Sequence, residues 1–168
     1  MKLRPELEPQ IEVAERLFSQ ILKLIAQYDD DTSKIEEIIL KINTITDKNI
    51  KESELLEYWG RESAEELAFK IALPNPLKVD NITQEELVEI INRIQFTSDE
   101  IVVENFKGYD ISLNYLLAYE YYLPLIERNF SYPEPSDLFN AKDTKRGFIE
   151  LNTTEIAEAI LTYKPILL

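Results

Sequence analysis

Eight apolar residues, Ile11, Ala14, Leu17, Phe18, Ile21, Leu24, Ile25 and Tyr28, recur at helical spacing and form one broad stripe. A stripe of that width is stable only when buried, so the chain must supply elements that cover it. Pro9 suits a first helical turn, where its missing N–H costs nothing, and the spacing predicts a helix from Pro9 to Tyr28. Asp29-Asp30-Asp31-Thr32-Ser33 ends it, with Thr32 or Ser33 placed to cap a second helix. Ile35, Ile38, Ile39, Ile42 and Ile45 lie on one side of that helix. Two amphipathic helices joined by a few polar residues make an antiparallel hairpin. Only three glycines occur (Gly60, Gly108, Gly147), which argues against many tight β-hairpins and for further helices.

Start and stop signals divide the next stretch. Ser53 to Trp59 reads as a short helix ended near Gly60. Ser63 with Glu66 is a capping box that opens a helix through Leu73, and Pro74-Asn75-Pro76 stops it. Thr83 with Glu86 opens another helix, with Leu87, Ile90, Ile91 and Ile94 inward, and Asn152 with Glu155 opens the last, with Ile156, Ala159, Ile160 and Tyr163 inward. The β-branched Ile101-Val102-Val103 reads either as a short strand or as part of a helix. Ile111 to Asn129 reads as a helix in which Pro124 forces a kink or a break, and Ser131 to Ser136 as a loop. No repeat, low-complexity tract or interdomain linker interrupts the chain. The expectation is a mainly all-α, compact multi-helix domain spanning 1–168. It carries an N-terminal antiparallel helical hairpin and has room for one short strand near 101–104. Its apolar end, Pro165-Ile166-Leu167-Leu168, should pack back on the domain.

Several chemistries are excluded by what the chain lacks. It has no cysteine, hence no disulfide, thiolate metal site or cysteine nucleophile, and this points to the cytoplasm. No signal-peptide pattern and no apolar run near membrane-spanning length occurs, so no membrane role is expected. Without histidine there is no Ser-His-Asp triad, HExxH zinc site or ExxH di-iron pattern. Phosphate-cradling loops of the GxxxxGK[ST] and GxGxxG types are absent, as is a GxSxG elbow.

Carboxylates remain. The net charge of −14 repels nucleic acid and attracts basic surfaces. The nearest basic patch, Lys142, Lys145 and Arg146, reads as a solvated turn, so no nucleic-acid partner is expected. Residues 1–70 carry 16 acids and 10 bases, 71–128 carry 10 and 4, and 129–168 carry 6 and 4, so the charge belongs to the folded surface and not to a tail. It serves either solubility or a basic partner. Asp29, Asp30 and Asp31 form the densest cluster. Aligned to a calcium loop they offer Asp31 and Ser33 at the next ligand positions, but Lys34 replaces the turn glycine and Leu40 the bidentate glutamate. The motif fails, and no metal or other cofactor is expected; a solvated interhelical loop fits better.

Ten of the sixteen Phe and Tyr residues lie between Phe106 and Phe148. Tyr115, Tyr119 and Tyr122 share one face of their helix, with Leu113, Leu116, Leu117 and Tyr121 toward the other. That Tyr face is either core with its hydroxyls reaching water or a partner-binding face. Trp59, the only tryptophan, poses the same alternative, with a core anchor favoured over an interface residue.

Glu57-Tyr58-Trp59, Ser63 with Glu65-Glu66-Leu67-Ala68, Pro74-Asn75-Pro76, Ile82 to Leu87 and Tyr163-Lys164-Pro165-Ile166 together resemble small acidic helical proteins of bacteria, among them immunity proteins for secreted toxins. The resemblance implies an acidic surface that plugs the basic active site of a partner nuclease, and it carries over no functional residue. The leading expectation is therefore a non-enzymatic intracellular binding protein of the immunity type. Its partner is a basic toxin domain, met through Tyr115, Tyr119, Tyr122, Trp59, Asp29, Asp30 and Asp31. The alternatives are a carboxylate- or divalent-metal-dependent enzyme and a structural or adaptor subunit.

Overall fold

A computed structural model describes residues 2–99, 102–144 and 147–164. The fold is mainly α-helical, and its contacts divide it into two compact units: 9–74 with 103–112, and 1–8 with 75–102 and 113–168.

In the first unit, helix α1 (Ile11–Asp30) buries Ala14, Phe18, Ile21, Leu24, Ile25 and Tyr28, the stripe expected from the sequence. It packs on α2 (Ile35–Thr46), its partner in the N-terminal hairpin, and more extensively on α4 (Ala64–Ala72). The cap between α1 and α2 is neither Thr32 nor Ser33. Asp31 takes that place because its carboxylate accepts from the backbone N–H and the hydroxyl of Ser33, which nucleates a 3₁₀ turn ahead of α2. The helix expected from Ser53 to Trp59 is instead two short pieces, α3 (Glu52–Leu55) and a 3₁₀ turn at Tyr58–Gly60. Between them Glu57 sits at φ 54°, a left-handed conformation that an α-helix cannot contain. The Ser63 and Glu66 capping box forms as expected at the start of α4.

A β-hairpin completes this unit. β1 (Glu104–Phe106) pairs antiparallel with β2 (Tyr109–Ile111) across Lys107 and Gly108, both at positive φ, the signature of a type I′ turn. Asn105 Oδ1 accepts from Gly108 N at 3.2 Å and steadies the turn. Phe106 inserts between Phe18 and Phe69, with edge-to-face centroid distances of 5.2 and 5.0 Å. The short strand expected near 101–104 thus lies slightly later. Val102 and Val103 are irregular, and Ile101 is outside the described residues.

In the second unit, α5 (Gln84–Asp99) opens on the Thr83 and Glu86 box and buries Leu87, Ile90, Ile91 and Ile94. The run expected as one helix from Ile111 to Asn129 is α6 (Leu113–Leu117), a π-helical turn (Ala118–Tyr122) and α7 (Leu123–Asn129). Pro124 is the cause. In a regular helix its ring would meet the carbonyl four residues back, and the i→i+5 turn opens the space without breaking the run. After a 3₁₀ segment (Pro135–Phe139), β3 (Lys142–Thr144) pairs with β4 (Gly147–Ile149). The rest of the basic turn, Lys145 and Arg146, lies outside the described residues. Last comes α8 (Thr153–Thr162), capped by Asn152 and packed on α5. Ile156, Ala157 and Ile160 are buried, whereas Tyr163, expected inward, follows the helix and is exposed. Residues 165–168, expected to pack back, are outside the described set.

Residues 2–8 join this second unit. Leu3 and Leu7 are buried, Arg4 Nε pairs with Glu86 at 2.7 Å, and Glu8 takes a bidentate pair of bonds from Arg93 at 2.7 and 3.1 Å.

Candidate functional site

Four of the seven residues singled out from the sequence fall in the first unit, and two of them are joined there. Asp29 is the penultimate residue of α1, and its Oδ2 accepts from the Tyr58 hydroxyl at 2.6 Å. Tyr58 is buried and holds Trp59 edge-to-face at 5.7 Å. Burial, and then the bond to Asp29, pushes the Tyr58 phenol above the ordinary tyrosine range. A carboxylate, a buried phenol and an indole therefore form one chain of contacts.

Trp59 is 61% exposed. The core position favoured for it is overturned, because the left-handed Glu57 turns the chain so that Tyr58 points inward and Trp59 outward. Leu56, Glu57, Gly60 and Arg61 around it are also exposed. Asp30 is exposed at the last position of α1. Asp31 is committed to its capping role: hydrogen bonds from Ser33 and then Lys34 hold its carboxyl below the usual carboxylate range. The three aspartates do not act as one cluster. Among the described residues no group of three or more carboxylates converges to hold a metal ion.

The three tyrosines belong to the second unit, and they do not form one face. Tyr115 is exposed and its ring lies 4.7 Å from that of Tyr119. Tyr122 is buried with Tyr121. The π turn adds a residue between Tyr119 and the following turn, so Tyr122 rotates out of phase with the pair. Its hydroxyl contacts Arg93 and Glu8 Oε2, and the Tyr121 hydroxyl donates to Glu8 O at 2.9 Å. Burial pushes both phenols up to about 12. Tyr122 is thus a structural residue, and its place in a partner-binding face is withdrawn.

Two features escaped the sequence reading. One is the role of Tyr58 as the bridge between Asp29 and Trp59; the adjacency Glu57-Tyr58-Trp59 was visible, but its alternation of burial depends on one backbone angle. The other is a cleft beside α5 and α8, formed by residues up to 61 positions apart such as Asn92 and Thr153. Among the described residues no helix is long and apolar enough to cross a membrane. Comparison with family models, with curated proteins and with solved structures gave no match.

Proposed function

We propose that this chain is a non-enzymatic binding protein that captures a basic protein partner on the Trp59 surface, an inhibitor of the immunity type acting in the cytoplasm. The observation that carries the reading is the exposed Trp59, held by Tyr58 against the acidic end of α1. Tryptophan is among the residues most enriched in dominant interface contacts. Asp29, joined to Trp59 through Tyr58, Asp30 next to Asp29 at the end of α1, and Glu57 two residues before Trp59 supply, within a chain of net charge −14, attraction for a cationic surface and speed its approach.

The test begins with the full chain as bait in its native cells. A captured basic protein is then titrated against wild type, Trp59→Ala and Asp30→Asn at several salt concentrations. The reading expects affinity to fall steeply with salt and Trp59→Ala to cost about 2 kcal/mol or more of binding. Tight binding that ignores both salt and Trp59 would reject this surface. Trp59 also reports directly: its emission should shift to the blue when the partner covers it.

A further inference from the structure

The cleft in the second unit has a volume of about 740 Å³, within the usual range of small-molecule sites. Its wall includes Asn92, Phe96, Tyr119, Glu150, Asn152 and Thr153. The Thr153 hydroxyl stands 2.7 Å from Gln95 Oε1 and 2.8 Å from Asn92 Oδ1, and these two amide oxygens share its proton. Gln95 Nε2 donates to Leu151 O at 3.1 Å. With its Oδ1 accepting from Thr153, Asn92 presents its Nδ2 as a donor on this wall. Asn152 uses its Oδ1 to cap α8, at 3.0 and 3.1 Å from Thr154 N and Glu155 N. Among the described residues nothing takes up the hydrogens of its Nδ2, which can donate into the cleft.

Among the described residues, Glu150 is the one charged residue in the lining. An anion would meet that carboxylate and, among the described residues, no cation, and a metal ion would find there a single charged ligand. A purely apolar ligand would strip water from amides and return nothing. Phe96 is 70% exposed at this cleft and presents an apolar ring. The complement is an uncharged molecule with one apolar face and groups that both donate and accept. A sugar ring has that form, with C–H bonds on its face and hydroxyls around its edge.

We propose that this cleft binds an uncharged mono- or disaccharide, its ring against Phe96 and its hydroxyls on Asn92, Asn152 and Glu150. The proposal stands apart from the Trp59 surface and does not depend on it. The test titrates ¹⁵N-labelled full-length chain with glucose, galactose, mannose, N-acetylglucosamine, maltose and lactose, following backbone amide shifts. Saturable shifts at 92–96 and 150–153 with at least one sugar are expected. Phe96→Ala, at an exposed position, should weaken them about tenfold. Asn152→Asp keeps the helix cap and removes the donor, so it should weaken them as well while leaving the fold intact. Three results would overturn the proposal: no response to any of these sugars, a response to adenosine or uridine in their place, or sugar shifts unaffected by both variants.

Discussion

Tyr58 determines the presentation of Trp59, and the consequence can be measured at one residue. In Tyr58→Phe the bond to Asp29 is lost, and the exposed carboxylate recovers water. A stability loss of about 1 kcal/mol in urea unfolding is expected. The single tryptophan makes the local charge readable too. Acids at 29, 30 and 57 should favour quenching of Trp59 by caesium over quenching by iodide; preferential quenching by iodide would contradict an acidic surround. The buried phenols give a pH effect of known sign. Tyr121 and Tyr122 hold their protons to about 12 when folded, against about 10 in an unfolded chain. Their contribution is complete below about pH 10 and is lost as pH rises toward 12. Absorbance near 295 nm should therefore show tyrosines that ionise late, together with unfolding. Trp59 itself was legible in the sequence, but its exposure was not, because that rests on the φ of Glu57, at a position whose side chain does not announce it.

Among the elements, those with local chemical signals were legible and those decided by distant contacts were not. Ser63 with Glu66, Thr83 with Glu86 and Asn152 with Glu155 each form the reciprocal bonds their spacing implies, because a capping box is completed within four residues. The hairpin β1–β2 has three-residue strands, too short for a period, and its stability lies in Phe106 meeting Phe18 and Phe69. Phe106→Ala should cost about 3–5 kcal/mol in chemical denaturation, the range for a buried aromatic. A loss below about 1 kcal/mol would mean the hairpin is an ornament of its unit and not part of the core. Pro124 was legible as a disruption, yet its resolution as a π turn was not, and this is what separated Tyr122 from Tyr115 and Tyr119. The cleft was invisible for a related reason, since its amides come from α5 and from the start of α8.

Over the whole molecule, the two units are not consecutive in the chain. The path runs through the second unit at 1–8, the first at 9–74, and returns to each before finishing in the second. Removing residues 2–8 should therefore damage α5 and the π-helical turn more than the helix α1 that follows. Two buried leucines at about 1.5–3 kcal/mol each amount to about 3–6 kcal/mol. The Arg4 to Glu86 and Glu8 to Arg93 pairs would be lost with them. Hydrogen exchange on the truncated chain should show the larger loss of protection at 84–99 and 118–122, and the opposite pattern would contradict the assignment of residues 2–8.

The same interleaving constrains synthesis. Glu8 leaves the ribosome 114 residues ahead of Tyr122, whose hydroxyl it accepts from. At about 5–20 residues per second, that separation is a wait of about 6–23 seconds. During it Leu3 and Leu7 have no native cover, and residues 9–74 likewise lack Phe106. A nascent chain of this protein is exposed at both of its future cores at once, so a chaperone that shields its first eight residues should raise the yield of folded molecules.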